Sequence, residues 1–151
     1  MSSPLSPHLL TLTRLARVLE RNTGDELSLP QFRTLGSLLT GDERASELAS
    51  RLAVPKPTLT ALIDSLVARG FVTREGVAGD RRVVRLSITP EGRAAHGRVE
   101  DNLAVTFQNL LDLCPDPAAV LAGLDALRHA LDVRFAEMVA NEASVVASTD
   151  G

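Results

Sequence analysis

The chain has 151 residues, of which 44% are hydrophobic, and a formal net charge of −3. This composition supplies enough apolar surface for one folded domain and excludes a chain that is disordered throughout. No apolar run reaches the ~18 residues of a membrane span, and the N-terminus lacks the pattern of a signal peptide, so we expect a cytoplasmic protein without a membrane partner.

Two helices are predicted at the start of the chain from the spacing of its leucines. Leucines from Leu5 to Leu19 recur every three or four positions, which is typical of an amphipathic helix that ends near Gly24. A second helix is predicted to begin after Ser28, a favourable cap, and to end before Gly41.

A short third helix and a longer fourth helix follow, with a tight turn between them. Ser46 is expected to cap the third helix, which runs to Arg51, and residues 53–55 form the turn. The fourth helix covers about residues 56–69, and Gly70 then lets the chain reverse. The predicted buried stripe of the fourth helix consists of Leu59, Leu62, Ile63 and Leu66.

Segments 71–75 and 83–89 are rich in β-branched residues and predict a hairpin, because a glycine-bearing loop joins them. Thr89 is expected to cap a fifth helix that ends before Pro115. A sixth helix begins at Pro117, and its apolar stripe is too hydrophobic to face water alone. That stripe consists of Val120, Leu124, Leu127, Leu131, Phe135 and Met138.

Helix, tight turn, helix and hairpin in this order predict a winged helix-turn-helix within a mostly α-helical fold. In such a unit one helix enters the DNA major groove and the loop of the hairpin, the wing, reaches the backbone or the minor groove. A two-fold dimer would bury the apolar stripes of the terminal helices, so we expect a homodimer. The predicted domains are an N-terminal dimerisation helix (1–27), a winged helix-turn-helix DNA-binding domain (28–90), C-terminal dimerisation helices (91–141) and a flexible tail (142–151).

Charge is distributed unevenly along the chain. Residues 1–50 carry 5 basic and 6 acidic side chains, residues 51–100 carry 9 and 5, and residues 101–151 carry 2 and 8. The middle third therefore has a net charge of +4 between two acidic flanks. A basic segment of this kind indicates a surface for nucleic acid, and the alternative is a solvated face without a partner.

Three motifs lie within residues 48–92. They are Pro57-Thr58 at the start of a helix that ends at Gly70, Asp80-x-Arg82 in the wing, and Leu86-x-x-Thr89-x-x-Gly92 after it. In these motifs and in its six-helix order, the chain resembles the MarR family of bacterial transcriptional regulators.

The resemblance implies a homodimer whose first, fifth and sixth helices interlock and whose fourth helix reads the major groove of a palindromic operator in double-stranded DNA. Members of the family usually repress nearby genes. Many of them release DNA when a small ligand, often aromatic, or an oxidant reaches them. The sequence itself identifies no effector.

The chain departs from the family pattern at three positions. Ala61 and Ser65 stand where the family commonly has arginine, and Pro55 replaces a polar residue at the turn. We therefore expect the fourth helix to read bases less than usual and the wing to contribute more of the affinity.

The residues predicted to contact DNA lie in the first turns of the fourth helix and in the wing. Basic side chains and helix N-termini bind phosphate, threonine can touch a thymine methyl, and arginine can enter a narrow minor groove. Asp80 would repel phosphate, so we expect it to orient a wing arginine instead; the alternative is an ordinary turn residue. The predicted DNA-binding residues are Lys56, Thr58, Thr60, Arg74, Arg81, Arg82 and Arg85.

No catalytic, metal or cofactor motif is recognisable, so we predict a protein that is not an enzyme and needs no cofactor. The three histidines, His8, His96 and His129, are too widely spaced to suggest a metal site. The single cysteine, Cys114, precedes a proline and is predicted to be structural rather than redox-sensing. The alternative that stays open is a winged-helix module that binds a protein, although a concentration of arginine at the wing favours DNA.

Overall fold

The computed structural model describes residues 3–41, 43–77 and 80–149, without the side chains of residues 43, 77, 80–83, 139 and 142–149. The fold is mostly helical with a hairpin wing, as the sequence predicts. The helices are α1 (Ser6–Asn22), α2 (Leu29–Leu38), α3 (Ala45–Leu52), α4 (Lys56–Ala68), α5 (Pro90–Leu111) and α6 (Pro117–Thr149). The strands are β1 (Glu43–Arg44), β2 (Val72–Val77) and β3 (Asp80–Ile88).

The three strands form one antiparallel sheet in the order β1-β3-β2. In the β2–β3 hairpin, Val72 pairs with Ile88 and Arg74 pairs with Leu86, and the register is irregular near Val77. β1 adds a third strand, in which Arg44 pairs with Arg85. The sequence predicts no strand there, because two residues are too few to show an alternating pattern.

Two of the predicted helix caps are confirmed. The Ser28 hydroxyl accepts a hydrogen bond from the Gln31 backbone N–H, and the Gln31 side-chain oxygen accepts one from the Ser28 N–H, which is a capping box. The Thr89 hydroxyl accepts a hydrogen bond from the Gly92 N–H and also donates one of 2.7 Å to the Gly70 carbonyl. Thr89 therefore begins α5 and fastens it to the end of the α4 turn.

The prediction that Ser46 caps the third helix is wrong. α3 begins one residue earlier, at Ala45, and Arg44 occupies the cap position with an extended backbone and no side-chain cap bond. The reason is that the pairing of β1 with β3 holds Arg44 extended until the helix begins.

Helix ends at the C-terminal side also differ from the prediction. α5 ends at Leu111, three residues before Cys114, and residues 112–114 form a turn. α6 continues to Thr149, where the sequence predicts an irregular tail from residue 142. Residues 142–149 contain alanine and no glycine or proline, so nothing in them stops a helix.

The hydrophobic core lies between α2, α3, α4, the sheet and the first half of α5. α1 adds no buried residue of its own, although Leu19 packs partly against this core. The core therefore belongs to the winged unit, which we define as α2 to β3, and to the beginning of α5. Its large buried side chains include Leu27, Leu35, Leu38, Leu48, Leu59, Ile63, Leu66, Val72, Leu86 and Val99.

The beginning of α5 packs unusually close to the end of the α4 turn. A Cβ atom built on Gly92 would lie 2.2 Å from the backbone oxygen of Phe71, a distance that no side chain can occupy. Only glycine allows α5 to approach the backbone of residue 71 this closely.

We expect Gly92→Ala to destabilise the protein by about 1–3 kcal/mol or more, because backbone atoms rather than a flexible side chain must move. Gly97→Ala is the matched control in the same helix, since a Cβ there meets nothing within 4 Å. The control should be neutral or stabilise by up to ~1 kcal/mol. Urea unfolding of the two variants at one protein concentration measures the difference, and equal effects would refute the close packing.

Candidate nucleic-acid interface

The buried stripe of α4 determines which of its residues face outward. Leu59, Ile63 and Leu66 are buried and Leu62 is half-buried, so this face packs against the core. The predicted groove residues on the other faces are all exposed. They are Lys56, Thr58 and Thr60, and the neighbouring Pro57 and Ala61 are exposed as well.

The two threonines differ in what their hydroxyls contact. The Thr60 hydroxyl donates a hydrogen bond of 3.0 Å to the Lys56 carbonyl, one turn earlier in α4. The Thr58 hydroxyl makes no hydrogen bond within the described residues. Thr58 can therefore donate to an external acceptor without breaking an internal bond.

The turn before α4 places the first turn of this helix at the surface. Ala53 has a left-handed backbone with φ of 53°, and its N–H bonds back to the end of α3. Pro55 then precedes α4 and supplies no side-chain cap, as the sequence predicts. The first N–H groups of α4 are left for an external acceptor such as phosphate.

Arg74 is placed on the side of the sheet that faces α4. It pairs in register with the buried Leu86, and its guanidinium forms an ion pair of 2.6 Å with the Asp64 carboxylate of α4. Both side chains are partly exposed, so the pair connects the wing to α4 at the surface. The sequence did not predict a role for Asp64, because its pairing with Arg74 depends on the register of the sheet.

Arg85 lies on the opposite side of the same sheet and is exposed. Its neighbours in register are Glu75 of β2 and Arg44 of β1, and Arg44 is exposed as well. Two arginines directly opposite each other repel unless an anion lies between or beside them. The sequence did not predict that Arg44 lies beside Arg85, because this pairing depends on β1.

The wing tip is only partly described. Asp80, Arg81 and Arg82 form the beginning of β3, but their side chains lie outside the described residues. Their predicted roles therefore stay predictions.

Ser65 lies where the resemblance leads one to expect arginine, and it is directed into the protein. Its hydroxyl accepts a hydrogen bond of 3.0 Å from the Gln31 side-chain amide, and Ser65 is half-buried. Gln31 also takes part in the capping box of α2, so this bond joins α4 to the start of α2. Because Ala61 has no polar group and Ser65 points inward, neither position of α4 offers a polar side chain to the bases.

A second ion pair joins the loop before α2 to α5. The Arg98 guanidinium donates two hydrogen bonds to the Glu26 carboxylate, one of them 3.0 Å from Nε. These bonds lower the pKa of Glu26 and raise that of Arg98. The pair links the loop before α2 to α5 at the surface.

The described part of the chain supports neither a metal site nor a membrane-spanning helix. Within it, no three His, Cys, Asp or Glu side chains come together as metal ligands would. Among the described helices, none is long and apolar enough to cross a membrane. Cys114 is half-buried, and its thiol donates a hydrogen bond of 3.4 Å to the Leu110 carbonyl.

The fold has many counterparts among solved structures. A mutant of MarR from E. coli, complexed with operator DNA, has a TM-score of 0.67 and 27% identity over 80% of this chain and 90% of that one. BpsR from Bordetella bronchiseptica, whose DNA binding is regulated by 6-hydroxynicotinic acid, has a TM-score of 0.69 and 25% identity over 82% and 96%. PcaV from Streptomyces coelicolor, in complex with its natural ligand, has a TM-score of 0.67 and 25% identity over 87% and 97%.

The sequence match covers the same unit that carries the exposed face of α4 and the wing. A model of the MarR family matches residues 26–83, from the loop before α2 into β3. On this match and on the shared fold, residues 26–83 form a winged unit of the MarR type, and the chain is similar to MarR-family winged-helix transcriptional regulators.

Proposed function

We propose that this regulator is a repressor that binds a palindromic operator as a homodimer and leaves it when a small ligand or a stress signal arrives. The observation that carries the proposal is the outward face of α4, whose first turns expose Lys56, Thr58 and Thr60. An arginine-bearing wing follows that helix directly in the chain. The protein acts by binding, in the compartment that holds the DNA, and carries out no reaction.

The residues of the interface have different tasks in this proposal. Lys56 and the first N–H groups of α4 bind phosphate, and Thr58 touches base edges in the major groove. Arg82 enters the minor groove beside it, and Asp80 orients the wing arginines. Thr60, Arg81 and Arg85 contact the backbone of the DNA, and Arg74 does so while Asp64 holds its position.

The homodimer is supported by apolar side chains that the single chain leaves in water. Leu5, just before α1, and Leu9 and Leu10 on α1 are each more than half exposed, and α1 buries no residue of its own. On α6, Leu127 and Leu131 are more than half exposed as well. A second copy that covers these faces would remove that apolar surface from water and fix the spacing of two winged units.

A cavity between α1, α5 and α6 supports the proposed effector. Its volume is about 360 Å³, and its wall is mainly apolar, with Phe107 and Val120 among the lining residues. Arg14 and Thr11 are the polar side chains at its edge, beside Cys114. A small aromatic molecule with one anionic group fits this lining. Its effect on DNA affinity can be measured by adding it to anisotropy titrations of the operator.

The central experiment is a salt titration of DNA binding. The operator is found by sequencing the fragments that the purified protein retains from its own genome. If each winged unit makes about four cationic contacts, a dimer neutralises roughly eight phosphates, and log K should fall against log salt with a slope of about −7. A slope near zero, or equal affinity for the separated strands, would contradict the proposal.

The wing and the helix should respond differently to substitution. Arg82→Ala should weaken operator binding by about 1–3 kcal/mol if the side chain enters the minor groove. Thr58→Ala should instead change which bases are preferred, because its contact is with base edges. Anisotropy titrations on the operator and on its single-base-pair variants distinguish the two. A folded, dimeric Arg82→Ala protein that binds like wild type would show that the wing is not a DNA contact.

The dimer is tested by charging the exposed face of α1. Leu9 is 56% exposed, so Leu9→Glu costs the single chain little. In a dimer it would bury an unpaired carboxylate, which is strongly unfavourable. We expect sedimentation to show monomers for Leu9→Glu and dimers for the control Arg21→Glu on the same helix. Dimers of equal strength in both variants would place the interface elsewhere.

A further inference from the structure

His96 is a buried side chain of α5 that has no part in the proposed DNA interface. It is 5% exposed, and its ring stacks on that of Phe32 in α2, with centroids 4.4 Å apart and planes 10° apart. Its Nε2 lies so close to α2 that a Cβ built on Gly36 would be 3.1 Å away. The imidazole therefore fills the contact between the first helix of the winged unit and α5.

The surroundings of this imidazole favour its neutral form. Within the described residues it makes no hydrogen bond, and α2 brings the Phe32 ring and Gly36 against it. Among the described side chains, the charged group that acts on it is Glu100, one turn along α5, whose Oε2 is 3.7 Å from Nδ1. Burial lowers the pKa of His96, and Glu100 opposes that effect only in part.

We propose that His96 is a proton-operated latch between α2 and α5. The neutral imidazole holds the winged unit against α5, and proton uptake at acidic pH opens this contact, so that the two winged units lose their fixed placement on DNA. The expected pH dependence of DNA affinity rests on the proposed function. The α2–α5 contact itself can be measured without DNA.

The direction of the effect follows from the environment of His96. Since the closed contact disfavours the proton, the open form binds it more strongly, and the closed form is fully favoured only above the ordinary histidine pKa of ~6.5. Its advantage is lost as the pH falls below that value. One proton changes the ratio of closed to open form at most about tenfold per pH unit, and two protons in a homodimer change it at most about a hundredfold.

The test is a pH titration of operator affinity between about pH 8 and pH 5.5, where histidine is the side chain that ordinarily changes charge. His96→Phe keeps a ring against Phe32 and removes the ionisable group. We expect wild-type affinity to fall on acidification, by at most about a hundredfold per pH unit for a dimer with two His96 side chains, and the affinity of His96→Phe to stay constant. His129→Phe is the matched control, because His129 is exposed on α6, and it should keep the wild-type response.

Two further measurements follow the contact itself. The NMR signal of the His96 ring, identified as the one missing in His96→Phe, should titrate below the ordinary histidine range. Urea unfolding without DNA should show that wild type loses stability between about pH 8 and pH 5.5 and that His96→Phe does not. If the phenylalanine variant fails to fold, His96→Gln replaces it as a neutral substitute.

Equal pH responses in wild type and in the His96 variant would overturn the latch, and so would a His96 signal that titrates like that of an exposed histidine. Failure of the proposed function has a different signature. In that case wild type does not bind duplex DNA even at about pH 8, while the NMR and unfolding measurements still decide whether His96 controls the contact.

Discussion

The burial of one face of α4 is the constraint on which the rest of the account depends. Leu59, Ile63 and Leu66 lie in the core, and each fully buried aliphatic side chain is worth about 1.5–3 kcal/mol. Turning α4 about its axis would expose all three, and the lost free energy of burial would exceed what any single surface contact contributes. The outward position of Lys56 and Thr58 is therefore a consequence of packing, and DNA recognition can use that face without weakening the fold.

The wing is held in place by contacts with α4 and with the turn that follows α4. The Thr89 hydroxyl donates to the Gly70 carbonyl at the end of the α4 turn, and Arg74 pairs with Asp64 on α4 itself. The close approach of α5 at Gly92 then fixes the point where the long helix leaves the sheet. These contacts hold the β2–β3 hairpin, α4 and the beginning of α5 together. A contact such as the His96 stack can influence the whole unit, because it lies where α2 packs against α5.

Sequence reasoning predicts what local patterns encode. Leucine spacing and the caps Ser28 and Thr89 are enough to place the beginnings of α2 and α5, because each signal lies within a few residues of the element it begins. β1 could not be predicted, since Arg44 is extended only because β3 lies beside it. The partner of Arg74 depends on sheet register, and the burial of His96 depends on packing between two helices that are distant in sequence. Neither leaves a pattern in the chain.

The central claim is that two copies of the winged unit read a two-fold symmetric stretch of duplex DNA. Hydroxyl-radical footprinting of the protein on its operator tests this most directly. The account predicts two equivalent sets of protected sugars related by the symmetry of the site, with centres about one helical turn, or a multiple of it, apart. A single asymmetric patch of protection, or uniform protection without boundaries, would contradict it.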